Sequence, residues 1–281
     1  MKKFIIMKNL CNSEAFGSRM TNYAALYAIS LVTGHTPATL INEKKHAYDF
    51  FNKMYINNKD ISDVFPNFKN IFHQINYNEY DFITHNVKDI IRDDSVYNIN
   101  PNFNYNFSGL FHLYHYWHDF KEDIIKLYEF DKNFINDVKK LLPISDKELV
   151  SICVRHEYAI NNSPSHVNLT LDYYNKAMEH FSNVNFLVFS DDITYAKHLF
   201  KNHKNIYYTD NMPSAIGMCL MSLCNHNINA NSSFSWWASF LNKNINKKII
   251  CPKYYIKSQQ FEFINYNYYP DEWISINNLL Q

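Results

Sequence analysis

Residues 185–200 read NFLVFSDDITYAKHLF, and this stretch decides the fold. Its apolar run, Asn185–Ser190, is typical of a strand buried on both faces, and Asp191-Asp192 is a good N-terminal cap for a helix that runs to Phe200. The same alternation of short strands and helices recurs from Lys147 onward and predicts a parallel, doubly wound sheet. The other strands predicted there are Leu149–Val154, Ile206–Tyr208, His226–Ala230 and Lys248–Cys251. The other helices predicted there are Leu171–Phe181, Ser214–Cys224 and Ser232–Leu241.

The start of the chain has a weaker form of the same pattern. Lys3–Met7 reads as a strand, followed by a loop that contains Gly17. Apolar residues then recur at helical spacing over Met20–Leu31, and Ala38–Ile41 reads as a second strand. This β-loop-α-β beginning predicts a second α/β lobe.

The boundary between the two lobes falls in the middle of the chain. Residues 45–140 read as mostly helical, with an amphipathic helix over Asp119–Phe130. The stretch LLPIS, residues 141–145, is the best candidate for a linker. We therefore expect an N-terminal lobe over residues 1–143 and a C-terminal lobe over residues 144–281.

Composition narrows the class of protein. Of the 281 residues, 47% are hydrophobic, which excludes disorder as the main state, and 27 basic residues balance 27 acidic ones, so that nothing indicates a nucleic acid partner. The high content of Tyr and Phe accompanies many Asn, Lys and Ile residues, as in AT-rich bacterial genomes, and codon bias explains it better than a sugar cleft does.

Targeting and membrane signals are weak in this sequence. The five cysteines form no CxxC pair and read as free thiols in a reducing compartment. The four-residue apolar run near the start is too short for a signal peptide, and the longest apolar candidate, Ile216–Cys224, is far below the ~18 residues of a spanning helix. We expect a cytoplasmic enzyme without a transmembrane segment, with peripheral contact to the inner membrane left open and the oligomeric state undetermined.

Three polar clusters follow predicted strands in the second half. Because the carboxyl ends of parallel strands meet at one edge, all three can face a single cleft. An arginine fork with hydroxyls and free N–H groups at a helix start suits a diphosphate and requires no metal. Each cluster also has a structural interpretation, either as a helix cap or, for the arginine, as an ion-pair partner of a carboxylate. The clusters are Arg155-His156-Glu157-Tyr158, Ser190-Asp191-Asp192 and Asn231-Ser232-Ser233-Phe234-Ser235.

A family resemblance is strongest around the third cluster. Residues 218–242 read MCLMSLCNHNINANSSFSWWASFLN, followed at 247–255 by KKIICPKYY. This resembles the C-terminal signature of glycosyltransferase family 11, the bacterial α-1,2-fucosyltransferases. Upstream, VFSDD, LTLDYYNKAM, GLFHLYHYWHDF and AFGSRMTNYAALYA are similar to further family segments, so the resemblance covers most of the chain.

The resemblance implies a GT-B-like α/β fold with two Rossmann-type lobes and a donor cleft between them. It also implies inverting, metal-independent transfer of L-fucose from GDP-fucose to a galactose-type hydroxyl in α-1,2 linkage on a bacterial surface glycan, with no cofactor. The N-terminal lobe would be the acceptor side and the C-terminal lobe the donor side. Arg155 would hold the donor diphosphate and, with His156 and Glu157, form the catalytic group. The predicted donor-binding residues are Gly17, Ser18, Arg19, Arg155, Asp191, Asp192, Asn231, Ser232, Ser233 and Ser235.

The chain departs from the family pattern at four places. The His of the motif H-x-R-x-G-D is Cys153 here, and its G-D pair is shortened to Glu157. The family's G-N-Q near the start is Gly17-Ser18-Arg19, and the Asp before its L-L-M-S is Gly217. An additional cation at Arg19 fits a different sugar or an acidic acceptor.

These departures leave three functions open. The first is fucosyl transfer, and the second is transfer of another GDP-linked sugar, such as a heptose or deoxyhexose, in capsule or lipooligosaccharide assembly. The third is a non-catalytic glycan- or nucleotide-binding relative. The sequence does not identify the catalytic base, because His156, Glu157 and several histidines of the first lobe all qualify.

Overall fold

The computed structural model describes residues 2–8, 16–41, 64–88, 92–109, 111, 113–156, 167, 169–210, 212–255 and 268–278. The chain divides into two compact units, residues 1–134 and residues 135–281. Each unit contains a parallel sheet with helices, so the predicted α/β class is confirmed. The assignment of an acceptor-side and a donor-side lobe stays a prediction. In the described part of the chain, no helix combines the length and apolar character needed to cross a bilayer.

The N-terminal unit contains a five-stranded sheet in the order β3-β2-β1-β5-β4, and all neighbouring strands are parallel. Its strands are β1 (Phe4–Ile6), β2 (Thr36–Leu40), β3 (His73–Ile75), β4 (Phe82–Asn86) and β5 (Asn104–Ser108). Its helices are α1 (Phe16–Thr33), α2 (Pro66–Ile71) and α3 (Lys121–Leu127), and α4 (Lys132–Lys139) spans the division between the units. Single 3₁₀ turns lie at Tyr77–Glu79, Asp94–Tyr97, Tyr114–Tyr116 and His118–Phe120.

The prediction of mostly helical structure over residues 45–140 is incomplete, because the described part of this range contains strands as well as helices and 3₁₀ turns. Three of the five strands of the sheet, β3, β4 and β5, lie in this range. The sequence did not signal them because they are short and polar, and β5 reads NYNFS. In the folded unit, Asn104 Oδ1 accepts the backbone N–H of Phe4 at 2.9 Å and Asn106 Oδ1 accepts that of Lys8 at 2.9 Å. Side-chain pairing with β1 therefore stabilises a strand that local propensity disfavours.

The predicted loop around Gly17 is also wrong, because α1 begins at Phe16 and includes Gly17, Ser18 and Arg19. The carbonyl of Gly17 accepts the hydroxyl of Thr21 at 3.1 Å, and that of Ser18 accepts the amide of Asn22 at 2.9 Å. These bonds between residues four apart lie over the first turns of the helix. The far end follows the prediction, since Gly34 adopts a positive φ of 74° just after the helix.

The C-terminal unit contains a six-stranded sheet in which every neighbouring pair is parallel. Its strands are β6 (Leu149–Val154), β7 (Asn185–Ser190), β8 (Ile206–Tyr208), β9 (His226–Ile228), β10 (Ile249–Pro252) and β11 (Ile274–Ile276). Its helices are α5 (Leu171–Met178), α6 (Ile193–Leu199), α7 (Ser214–Ser222) and α8 (Ser233–Phe240). The bounds of β6, β7 and β8 are those that the sequence predicted, and β11 was not predicted.

The strand order in this sheet is β11-β10-β9-β6-β7-β8. The first strand, β6, therefore lies in the middle of the sheet, with β7 and β8 added in sequence on one side of it and β9, β10 and β11 on the other. This is the strand order of dinucleotide-binding folds, in which a crevice lies at the point where the strand order reverses. That point lies between the carboxyl ends of β6 and β9.

Candidate functional site

The reversal between β6 and β9 brings two of the predicted clusters to one sheet edge. In the register of the two strands, Ile152 is the partner of Ile228, so residues that follow each strand leave the sheet side by side. Val154 is likewise the partner of Ser190 on β7, which places the Ser190-Asp191-Asp192 cluster at the same edge. Ligands of open parallel sheets bind at such an edge.

Arg155 is anchored by the carboxylate that follows β7. Its Nη1 lies 3.3 Å from Asp191 Oδ2, and the two side chains are 28% and 16% exposed. The other oxygen of Asp191 accepts the backbone N–H of His156 at 2.9 Å. Asp191 thus fixes both the guanidinium and the backbone of the loop after β6, and the partner of Arg155 is Asp191.

His156 is held by two groups of the neighbouring loop. Its Nδ1 lies 3.0 Å from Asp192 Oδ2, and its ring stacks on Tyr195 with centroids 3.6 Å apart and an interplanar angle of 7°. The other oxygen of Asp192 accepts the N–H of Tyr195 at 2.9 Å and caps α6. The pKa of Asp192 is lowered, chiefly by this backbone hydrogen bond and further by His156. The capping interpretation of Asp192 is therefore confirmed, and the same carboxylate also orients an imidazole.

The loop after β9 begins α8. Ser232 is the N-cap, and its hydroxyl accepts the N–H of Phe234 at 3.3 Å. Asn231 is buried, and its amide donates to the carbonyls of Val167 at 2.6 Å and Tyr255 at 3.3 Å. The first N–H groups of a helix lack intrahelical acceptors, which gives its N-terminus an affinity for anions.

Two of the predicted serines differ in accessibility. Ser233, the first residue of α8, is half-buried, whereas Ser235 is fully buried. The hydroxyl of Ser235 donates to the carbonyls of Ser232 at 3.1 Å and Ala230 at 3.3 Å, so it shapes the loop from below. Cys153 is buried as well, and burial raises the pKa of its thiol to about 11. Cys153 is therefore a protonated, buried residue beneath the loop.

A buried amide network supports β9 and the loop that follows it. Asn227, fully buried, donates to Ser151 Oγ at 2.7 Å and to the carbonyl of Met221 at 2.9 Å, and it accepts from Asn242 at 2.8 Å. Asn229 Oδ1 accepts the hydroxyl of Ser239 at 2.7 Å. Such pairing satisfies all three polar contacts of Asn227 and fixes the strand in one position, whereas Nδ2 of Asn229 is buried without a hydrogen bond among the described residues.

The remaining predicted residues lie either in the N-terminal unit or outside the described part of the chain. Gly17, Ser18 and Arg19 lie in the first turns of α1 in the N-terminal unit, where Gly17 and Arg19 are buried and Ser18 is half-buried. Glu157 lies outside the described residues. The sequence missed Tyr195, and it did not anticipate the amides of Asn227 and Asn229, although all three lie within the segments that resemble the family or directly after them.

The chain matches the family model of glycosyl transferase family 11 over residues 1–277. It belongs to this family.

The chain is also similar in sequence to two curated proteins of Escherichia coli. The chain is 32% identical to the O-antigen biosynthesis glycosyltransferase WbnK over 148 residues, which are 47% of the chain and 49% of that protein. It is 33% identical to an alpha-1,2-colitosyltransferase over 103 residues, 35% of the chain and 34% of that protein. In these matches the chain spans about half the length of the first relative and about a third of the second.

Solved structures show the same fold at low identity. A fucosyltransferase NodZ from Bradyrhizobium has a TM-score of 0.55 at 14% identity, covering 85% of this chain and 91% of that one. POFUT1 in complex with GDP-fucose has a TM-score of 0.53 at 9% identity, covering 89% and 98%. At this identity the likeness concerns the fold alone, and it confirms the predicted GT-B-like architecture of two Rossmann-type lobes.

Proposed function

We propose that this family 11 protein is a glycosyltransferase that takes its sugar from a GDP-linked donor bound at the edge between β6 and β9. The observation that carries the proposal is the position of Arg155 and the start of α8 on either side of the reversal point, at the carboxyl ends of adjacent strands. A guanidinium and a helix N-terminus are complementary to a diphosphate. Membership of the family over residues 1–277 supports the reaction class.

In the proposed site, Arg155 and the first turn of α8, from Ser232 to Ser235, bind the two phosphates. Negative charge grows on the diphosphate as the bond to the sugar breaks, and a cation already held in place by Asp191 stabilises that charge without reorganising. The sugar is transferred with inversion to an acceptor hydroxyl, which needs a general base. His156, Glu157 and histidines of the N-terminal unit are the candidates for this base.

We propose that the transfer is independent of a metal ion. Among the described residues that directly follow β6, β7 and β9, the acidic ones are Asp191 and Asp192, and both already have partners in Arg155, His156 and Tyr195. Their oxygens are therefore used in positioning the two loops rather than turned together toward a shared cation. Retained turnover in excess EDTA is the expected outcome, and turnover lost on chelation and restored by Mg²⁺ or Mn²⁺ would contradict it.

The transferred sugar is proposed to be L-fucose, joined in α-1,2 linkage to a galactose-type unit of a bacterial surface glycan. The relative named as an alpha-1,2-colitosyltransferase transfers a sugar other than fucose and so favours the second candidate, in which this chain transfers another GDP-linked sugar such as a heptose or deoxyhexose. We place the reaction in the cytoplasm, with peripheral membrane contact left open, because the four described cysteines are free thiols suited to a reducing compartment.

The test begins with calorimetric titration of GDP, UDP, CMP and ADP. We expect GDP to bind most tightly, and tighter binding of UDP or CMP would overturn the donor class. Incubation with GDP-fucose, with and without lactose as a galactose-type acceptor, then separates transfer from binding. Binding of GDP without any hydrolysis or transfer from GDP-sugars would favour the non-catalytic relative.

A further inference from the structure

We propose that His156 and Tyr195 form a two-ring platform on which the purine base of the donor nucleotide stacks. This inference rests on the proposed function, because it assigns the base-binding part of the same donor site. It gives Tyr195, a residue that no motif assigned, the role of positioning His156. The flat face of a purine is the part of a GDP-sugar that such a platform would recognise.

The platform is rigid because one carboxylate fixes both rings. Asp192 binds Nδ1 of His156 through one oxygen at 3.0 Å and the N–H of Tyr195 through the other at 2.9 Å. The N–H of Asp192 is in turn donated to Ser190 Oγ at 3.0 Å, at the end of β7. The rings are nearly parallel, with an angle of 7° and centroids 3.6 Å apart. Little rotational freedom would be lost when a third ring stacks on them.

Part of His156 stays accessible to a ligand. Tyr195 stacks on one face of the ring and Asp192 takes Nδ1, while the side chain keeps 27% of its surface exposed. The proposed platform uses the face opposite Tyr195. His156 directly follows Arg155 in the chain, so the platform lies at the edge where the phosphates are proposed to bind.

The departure from the family motif agrees with this placement. The position two residues before Arg155, which is His in the family pattern, is the buried Cys153. An imidazole is instead present directly after the arginine, at His156. The chain therefore carries a flat aromatic nitrogen ring at this edge in a different position from the one the motif predicts.

The experiment compares a ligand with a base and a ligand without one. Affinities of GDP and of inorganic pyrophosphate, the latter by displacement of GDP, are measured for wild type, Tyr195→Ala, Tyr195→Phe and the control Tyr207→Ala on β8. Because Tyr195 supports the His156 ring on which the base stacks, Tyr195→Ala should weaken GDP by at least about fivefold and at most by the hundredfold that a lost base–aromatic stack costs, and change pyrophosphate by less than about twofold. Tyr195→Phe keeps the ring and should bind GDP about as tightly as wild type does. The control Tyr207→Ala should have the wild-type affinity for both ligands.

A second pair of variants separates stacking from charge. His156→Phe retains a flat ring and should keep most of the affinity for GDP, whereas His156→Ala should lose it; circular dichroism checks that both are folded. An equal loss in His156→Phe and His156→Ala, or parallel losses for GDP and pyrophosphate in Tyr195→Ala, would overturn the platform. If wild type binds GDP and Tyr195→Ala binds it as tightly, only the platform fails. If wild type binds no GDP, the proposed function fails as well.

Discussion

The two units build parallel sheets from different kinds of strand. In the C-terminal unit, β6 reads LVSICV and is buried along its whole length. In the N-terminal unit, β4 reads FITHN and is half-buried or exposed throughout, and β5 reads NYNFS. The first kind of strand is recognisable from its apolar run, and the second is stabilised by contacts with residues far away in the sequence.

The two units also differ in what their buried polar side chains pair with. In the N-terminal sheet, buried amides such as Asn104 pair with the backbone of the neighbouring strand. In the C-terminal sheet, Asn227 and Asn229 support the strand that leads to the candidate site. Buried polar groups thus complete the sheet in one unit and support the strand before the candidate site in the other. The following predictions test this difference between the two units.

The largest effect is expected for Arg155 in the C-terminal unit. Arg155→Ala should weaken GDP by about tenfold to a hundredfold or more, because hydrogen bonds to charged groups contribute about 1.5–3 kcal/mol each. Turnover should fall further, since charge grows on the leaving diphosphate, and Arg155→Lys should recover only part. GDP calorimetry and transfer rates measure both effects.

The matched control is Arg92→Ala in the N-terminal unit. Arg92 also pairs with an aspartate, Asp94 at 2.6 Å, but the carboxylate is 70% exposed, and loss of such a pair changes stability by at most about 1 kcal/mol. Folded Arg155→Ala with wild-type affinity and turnover would remove Arg155 from the site.

Asparagine-to-leucine substitutions compare the buried amides of the two units. Asn227→Leu leaves three buried partners without their hydrogen bonds and should lower the free energy of unfolding by about 3 kcal/mol or more. Asn104→Leu affects the N–H of Phe4 and the carbonyl of Asp81 and should cost about 1–3 kcal/mol. Urea unfolding followed by circular dichroism measures both. A larger cost at Asn104 would reverse the comparison.

Alkaline pH should destabilise the protein through its buried thiols. The cysteines that the structure describes all lie in the C-terminal unit, and burial raises the pKa of Cys153 to about 11 and those of Cys219 and Cys224 to about 12. Because the folded pKa exceeds the unfolded value of about 8.5, stability is complete below that pH and falls as pH rises toward the folded pKa. The slope is up to about 1.4 kcal/mol per pH unit for each thiol.

The melting temperature between pH 7.5 and 10 provides the measurement. Cys219→Ala is the control, since removing one buried thiol should reduce the slope. Rapid alkylation of these thiols in the native protein at pH 8 would show that they are not buried.

The smallest effect on nucleotide binding is expected in the N-terminal unit. Changing Ser18 to Asn and Arg19 to Gln should leave the affinity for GDP within a few-fold while altering turnover or the preference among GDP-sugars. The reason is that these positions depart from the family pattern, whereas VFSDD and residues 218–242 of the C-terminal unit match it. Because Arg19 is buried in α1, the single variants separate its structural contribution from that of the half-buried Ser18. A large loss of GDP binding in a folded double variant would contradict the assignment.

The sequence by itself determined the α/β class, the strands β6 to β8, and the clusters that follow β6, β7 and β9. It could do so because a strand buried on both faces must be apolar, and a helix that follows it needs a capping residue. The family also followed from the sequence, since residues 218–242 carry the signature in unbroken form.

Only the tertiary structure decided which of these groups meet. The pairing of Arg155 with Asp191 and the stack of His156 on Tyr195 depend on the register of β6 against β7. The paired residues are 36 and 39 positions apart in the chain, so no local pattern shows that they meet. The polar strands of the N-terminal sheet likewise exist because distant backbone groups satisfy their amides. Hydrogen bonds of this kind form only once the chain has folded, so local sequence patterns do not contain them.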